Sequence, residues 1–318
     1  MSILVVGSVA LDSIETPFGQ AKEILGGAAT YFSLAARFYD EVNLVAVVGT
    51  DFPERHVKFL QERGVNLDGL QVAEGKTFRW SGRYGYDMNA AETLDTQLNV
   101  FAAFHPELPD SYKDSEYVFL ANIDPVLQLE VLSQIRRPKL TVLDTMNYWI
   151  SNHREALAKA ISAVDVVLIN EAEVRQYTAV PSLVVGAREI LEQGPQVLVV
   201  KKGDHGAVMF ANGGSLTRSF FCAPAYPLER VVDPTGAGDS FAGGFIGYLA
   251  QQNHVATPST CSTPMLQRMR RAIVHGSVVA SYTVEDCGVE RLRTLTTDEI
   301  MARYREFQEF TSFEPASL

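Results

Sequence analysis

Short, nearly unbroken apolar runs recur along this chain, and most are followed by a longer stretch with helical spacing. The runs at residues 2–9, 42–48, 65–72, 117–121, 140–144, 164–169 and 197–201 are rich in Val, Ile and Leu. Runs of that kind predict strands buried on both faces. The stretches between them predict helices from about 26 to 38 and over 53–63, 125–135, 153–163, 171–177 and 183–193. Past residue 200 the order changes: residues 207–211 and 216–222 flank Asn212-Gly213-Gly214 and predict a hairpin. Helices are predicted again at 237–251, 265–283 and 297–310, with the polar segment 252–264 as a surface loop. This alternation predicts an α/β fold, a mostly parallel sheet covered on both faces, in a single domain spanning 1–318 without internal repeats.

One region has a different rhythm. Phe78, Trp80, Gly82 and Tyr84 alternate with Thr77, Arg79, Ser81 and Arg83, and Leu94, Thr96, Leu98 and Val100 alternate with Asp95, Gln97 and Asn99. Period-two alternation predicts two strands with one polar face, joined by a turn near 87–91. With short extended segments before residue 25 they predict a small β-sheet outside the main one, a lid formed by about 13–25 and 76–102. Its apolar row is too large for a small sheet to leave in water. It is expected to close over a substrate, or to pair with the lid of a second copy in a homodimer.

Composition narrows the partners. The chain has 318 residues and a net charge of −11, with no Lys/Arg-rich run, which argues against nucleic acid or an anionic membrane surface. No apolar run approaches the length of a membrane span. Residues 1–9 lack the charged start and cleavage site of a signal peptide. Cys222, Cys261 and Cys287 are widely spaced and suggest neither a disulfide framework nor a thiolate metal site, so a reducing cytoplasm is expected.

The strongest chemical signal is the block from Val232 to Phe245, V-D-P-T-G-A-G-D-S-F-A-G-G-F. Pro234 ends what precedes it, Gly236 and Gly238 let a ligand approach the backbone, and the apolar run from Phe241 continues as a helix. The first N–H groups of a helix lack internal partners and its dipole favours an anion, so this end suits a phosphate. A carboxylate beside a phosphate would repel it. Asp239 is explained if it takes the proton from the group that attacks that phosphate. Three further strand ends carry polar residues: Asp12 after the first strand, Asp144-Thr145-Met146-Asn147, and Asn170-Glu171-Ala172-Glu173 opening a helix. No P-loop, dinucleotide fingerprint, G-x-S-x-G elbow or H-E-x-x-H motif occurs.

The block at 232–245 closely resembles the second signature of the PfkB/ribokinase family of carbohydrate and nucleoside kinases, D-T/P-x-G-A-G-D-x-F. The resemblance covers nearly the whole chain. It implies a ribokinase-like three-layer sandwich with a mostly parallel central sheet and a small β-sheet lid. It implies ATP-dependent phosphorylation of a hydroxyl on a small sugar or sugar-like molecule, with a nucleoside acceptor as the alternative. Asp239 would be the base, and the amides of Gly236, Ala237, Gly238 and Asp239 the anion hole. Asn170 and Glu173 match the family's N-x-x-E motif and would hold Mg2+ through water. Asp233 matches a position that binds a monovalent cation such as K+. The segment 199–206 resembles a nucleotide-binding V-x-x-G-x-x-G stretch, which assigns Lys201, Gly203 and Gly206 to ATP, with Lys201 where many members carry Thr. His275 would lie near the adenine. Gly26-Gly27 resembles the first signature, GG-x-x-x-N, but Tyr31 stands where Asn is usual, and Ala10 and Ala28 replace polar residues of ribose-specific members. Asp12, Gly26, Gly27, Asn147 and Asp239 are then the candidate acceptor residues. Trp80, Phe78, Tyr31 and Phe101 could offer a stacking surface to a base. A non-catalytic binding protein would have no use for Asp239.

Overall fold

The computed structural model describes residues 2–212, 219–255 and 265–312. The first part of the chain folds as β1 (Ser2–Val6), β2 (Ala10–Thr16), β3 (Gly19–Gly26), α1 (Ala28–Ala36), β4 (Glu41–Gly49), α2 (Glu54–Glu62), β5 (Val65–Ala73), β6 (Phe78–Tyr84) and β7 (Ala91–Gln97). Next come β8 (Tyr117–Leu120), α3 (Pro125–Gln134), β9 (Leu140–Asp144), α4 (Asn147–Asn152), α5 (Arg154–Ser162), β10 (Val166–Asn170), α6 (Glu171–Thr178), α7 (Leu183–Leu191) and β11 (Val197–Lys201). The rest is β12 (Ala207–Ala211), β13 (Phe220–Ala223), α8 (Ala237–Val255), α9 (Met265–Thr283), α10 (Glu290–Thr294) and α11 (Thr297–Thr311).

Nine strands form one sheet in the order β13-β12-β11-β10-β9-β8-β1-β4-β5. All neighbours run parallel except β11 with β12 and β12 with β13. Successive side chains of a strand point to opposite faces, and the two faces carry separate cores. Ile3, Val5, Leu44, Phe119 and Leu168 pack with Phe32, Phe245 and Ile273 on one side. Leu4, Val6, Val45, Val118 and Val167 pack with Val131, Leu157, Val174 and Ile190 on the other. Strands buried on both faces need apolar residues at every position, which is why these runs lack alternation. The result is the expected helix–sheet–helix sandwich.

The second sheet has the order β3-β2-β6-β7, with β2 parallel to β6 and the other pairs antiparallel. Two details differ from the sequence expectation. Asp12 lies within a lid strand and not in a turn after β1. The alternation read through Val100 stops at Gln97, because Asn99 turns left-handed at φ 49° and starts a 3-10 turn over Asn99–Ala103. Asparagine tolerates that conformation, and its side-chain amide donates to the Thr77 carbonyl at 2.9 Å. The helix expected to end at 251 runs on to Val255. The predicted hairpin turn past Asn212 and the rest of the 252–264 loop lie outside the described residues.

Candidate active site

Four elements deliver polar groups to the carboxyl ends of the parallel strands: the turn before α8, the ends of β9 to β11, the β1–β2 connection with α1, and the lid. The turn is held from below. Asp233 is buried, and its two carboxylate oxygens accept the N–H groups of Thr235 at 2.9 Å and Gly288 at 2.8 Å. Asp233, the position expected to bind a monovalent cation, also ties the turn to the segment before α10. Gly236 has φ 75°, and a Cβ there would lie 2.3 Å from the Tyr31 ring. Only glycine meets both conditions. Beyond it, the Ala237 N–H returns to the Pro234 carbonyl at 3.2 Å and the Ser240 N–H to the Gly236 carbonyl at 2.8 Å. The Ala237 amide is thus partly committed, and the amides of Gly238 and Asp239 follow it in the first turn of α8, the latter turned towards its own carboxylate.

Asp239 faces a buried group of charges. The Lys201 ammonium donates to Asp144 at 2.6 Å, and a Cβ on Gly238 would lie 3.2 Å from the same nitrogen. Neighbouring strands explain the meeting: Asp144 pairs in register with Leu168 of β10, and Asn170 of β10 with Lys201 of β11. Burial alone would push Lys201 towards neutrality, but Asp144 and Glu173 outweigh it and raise its pKa, so the lysine is charged. Burial, reinforced by Asp144 and opposed by Lys201, lifts Asp239 to about 7. Burial lifts Glu173 to about 7 as well. Asn170 and Glu173 cap α6 reciprocally, the Glu173 N–H donating to the Asn170 side chain at 2.8 Å and the Asn170 N–H to Glu173 at 2.9 Å. That pair uses one oxygen of each side chain. Among the described residues no three His, Cys, Asp or Glu side chains are arranged to hold a metal ion directly.

On the acceptor side, Asp12 is buried and accepts the Gly27 N–H at 3.3 Å. A Cβ at Gly26 would fall 1.9 Å from its carboxylate, so that glycine makes the space the acid occupies. Burial, with repulsion from Asp233 and Asp239, raises Asp12 to about 7. Tyr31 is buried in the same field of acids, and its hydroxyl has no hydrogen-bond partner among the described residues. The lid closes over this group. The Thr235 hydroxyl bonds the Tyr84 hydroxyl at 3.3 Å, and the lid-turn residue Asn89 accepts the Asp204 N–H at 3.3 Å. Gly203 makes room there, since a Cβ would lie 2.2 Å from the Asn89 side chain. Trp80 sits opposite Asp12 in the β2–β6 register and so shares its face.

Two expected residues lie elsewhere. Asn147 is exposed at the start of α4, while Asp144, three residues before it, pairs with Lys201 in the site. His275 has both ring faces covered, by Tyr248 at 4.2 Å and Tyr304 at 4.4 Å, and bonds the Tyr39 hydroxyl at 3.1 Å. Burial lowers it to about 4, so it is a neutral packing residue with no ring face to offer adenine. Gly206 serves the backbone, its site closed by the Ala223 carbonyl. The pairing of Lys201 with Asp144, the Tyr84–Thr235 contact and the buried Tyr31 hydroxyl were not assigned from sequence. A lysine ending an otherwise apolar strand and a tyrosine replacing a polar signature residue were the available signs.

The chain is 30% identical over 252 residues to the cytidine kinase of Thermococcus kodakarensis, covering 78% of this chain and 88% of the relative. It is 26% identical over 314 residues to a nucleoside kinase of Methanothermobacter thermautotrophicus, covering 91% of each. Its fold matches the structure of Burkholderia thailandensis nucleoside kinase in complex with inosine, with a TM-score of 0.76 at 19% identity over 96% of this chain and 97% of that one. The profile of the pfkB family carbohydrate kinases matches residues 2–289, and the chain belongs to that family.

Proposed function

We propose that this kinase transfers the terminal phosphoryl group of ATP to a sugar hydroxyl of a nucleoside. The observation that carries this reading is the placement of Trp80 beside Asp12 on the lid face that bears Tyr84, which reaches the phosphate turn. A carboxylate can hold a sugar hydroxyl while a neighbouring indole stacks on a base. A Cβ at Gly82 would lie 2.1 Å from the indole, so the glycine gives the ring a flat seat. Phe78 and Phe101 stack on each other at 5.3 Å, and Phe101 on Phe104, which commits them to packing. The relatives named as cytidine and nucleoside kinases favour a nucleoside over the simple sugar that the sequence reading put first.

Asp239, as carboxylate, takes the proton from the acceptor hydroxyl. The oxygen attacks the terminal phosphorus, the bond from that phosphorus to the bridging oxygen breaks, and ADP leaves. The N–H groups of Gly236, Gly238 and Asp239, with the Lys201 ammonium, stabilise charge on the phosphoryl oxygens. Magnesium, when bound, would supply further neutralisation through water held by Glu173 and Asn170. Gly203 places the nucleotide loop under the lid, which excludes water from the transfer.

A phosphorylation screen over nucleosides, free pentoses, hexoses and polyols, with ATP and magnesium, tests the reading. A nucleoside is expected to give the highest kcat/KM. A free sugar converted tenfold more efficiently than any nucleoside would overturn it.

A further inference from the structure

The sheet order β9-β8-β1 puts one strand end between the Lys201–Asp144 pair and the turn that holds Asp12. The end of β8 is fixed on both flanks. The buried side-chain amide of Gln128 donates to the Ala121 carbonyl at 3.0 Å and to the Asp144 carbonyl at 3.0 Å, which clamps the ends of β8 and β9 together. On the other side the Ala121 N–H donates to the Val6 carbonyl at 3.0 Å. A Cβ on Gly7 would lie 2.7 Å from the Ala121 Cβ and 3.1 Å from that of Ala29, so the same glycine lets Ala121 approach the start of α1, beside the Gly27 amide that Asp12 accepts. The residue that follows Ala121 is Asn122.

Asn122 is half-buried, and its amide is held in one orientation. The Trp149 indole N–H donates to the Asn122 carbonyl oxygen at 2.8 Å. An indole nitrogen only donates, so the carbonyl oxygen must face it and the amino group must face away. Trp149 packs edge-to-face with Tyr148 at 4.9 Å and with His153 at 5.2 Å, and His153 meets Asp124 at 3.3 Å. The indole is thus a fixed anchor, and the amide cannot turn over without losing its bond. The amino group carries two N–H donors. Among the described residues its one partner is the Met146 thioether at 3.1 Å, and a thioether sulfur is a weak acceptor. The carbonyl is committed, while the amino group is kept available.

Asp12 and Asp239 already offer acceptors to sugar hydroxyls. A fixed donor suits a group that can only accept, and on a nucleoside such groups are chiefly the carbonyl oxygens and ring nitrogens of the base. We propose that the Asn122 amino group donates a hydrogen bond to a carbonyl oxygen or unprotonated ring nitrogen on the edge of the base, and so selects acceptors that carry one. The proposal rests on a nucleoside being the acceptor, and it adds the edge of the base to the face left to Trp80. A site that hydrogen-bonds its substrate rejects an analogue lacking the partner group strongly, because its own polar group is then left unsatisfied.

Steady-state kinetics of the full chain test it. The probes are the best substrate among cytidine, uridine, adenosine, guanosine and inosine, and the C-riboside of benzene, whose ring has no hydrogen-bonding atom. Asn122→Asp, assayed at about pH 8 so that it is ionised, still accepts the Trp149 N–H and no longer donates. Wild-type protein is expected to convert the nucleoside at least about tenfold more efficiently than the C-riboside. The variant should lose that margin through KM for the nucleoside, with kcat within about threefold and KM for ATP unchanged. Circular dichroism checks its fold. Equal conversion of both ribosides by the wild type would overturn the proposal whatever the variant does. So would an intact nucleoside preference in the folded variant, an equal loss for both ribosides, or a loss shared with ATP; these outcomes leave the nucleoside reading standing. A screen in which no nucleoside is phosphorylated would overturn that reading, and the proposal with it.

Discussion

At the phosphate turn, Asp233 is held by main-chain donors and the strand-end residue Lys201 by Asp144, and the helix beneath carries only apolar residues and glycine from Phe241 to Ala250. In the lid, β7 is exposed along all seven of its residues, and the β6–β7 arm bonds the phosphate turn and the 203–206 turn by single contacts from Tyr84 and Asn89. The first region is built for a reaction that tolerates no displacement of charge. The second is built to come and go. Chemistry and selection are thus separated in space, and substitutions in the two regions should fail differently.

The largest effect should come from the turn. Asp239→Asn is expected to lower kcat by about two to four decades, the range for a positioned base, with nucleotide affinity little changed. A normal transfer rate in that variant would show that the proton goes elsewhere. Lys201→Met should cost about two decades in kcat, as for loss of one oxyanion donor. It should also cost about 3 kcal/mol of stability, because Asp144 is left buried without its partner. Adding Asp144→Leu should restore the melting temperature and leave the rate low. If the double variant recovers both, Lys201 serves the fold alone.

A smaller effect is set by pH. Asp239 is raised to about 7 and works as a carboxylate, so kcat/KM should fall about tenfold per pH unit below that value and level off above it. A profile flat across this range would separate the base from the rate. In the lid, Trp80→Ala should raise KM for a nucleoside about tenfold, the worth of a lost base stack, and leave KM for ATP unchanged. An equal loss for both substrates would place the indole in lid closure instead. The smallest effect on turnover belongs to the edge. The exposed β7, with Leu94 outward, offers the place where a second lid could pair, so we expect a dimer that Leu94→Arg weakens. Sedimentation of a wild-type monomer at all concentrations would dismiss that association.

The same contrast governs what the sequence disclosed. The strands Leu140–Asp144, Val197–Lys201 and Ala207–Ala211 and the helix Met265–Thr283 coincide with their sequence expectations, because strands buried on both sides and long amphipathic helices carry strong local patterns. The turn was legible for a related reason. Its conformation demands a particular residue at Gly236, and such demands are written locally. Short α4 has no side-chain cap to announce it, and so the exposure of Asn147 at its start could not be read from the sequence. The meeting of Tyr31 with Gly236 joins positions about two hundred residues apart, which no spacing rule reaches. His275 shows the converse: its place in the chain suggested a ligand, while three tyrosines from separate elements decide its environment.

Asp12 stands on β2, a strand of the lid, whereas Asp233 and Asp239 belong to the core, and those two acids help keep Asp12 protonated near neutrality. Opening the lid would separate the charges and return Asp12 to water, where an aspartic acid is ionised. Closure is therefore expected to take up a proton, and the equilibrium between open and closed forms to move towards closure as pH falls from about 7 to the ordinary carboxylate range, even when no chemistry occurs. Binding a non-reactive acceptor analogue in buffers of different ionisation enthalpy would reveal the uptake as a buffer-dependent heat, and identical heats would exclude it. The molecule that closes most readily is then the one in slightly acidic solution, where its base is least able to work. Grip and turnover are set against each other by a single pair of carboxylates.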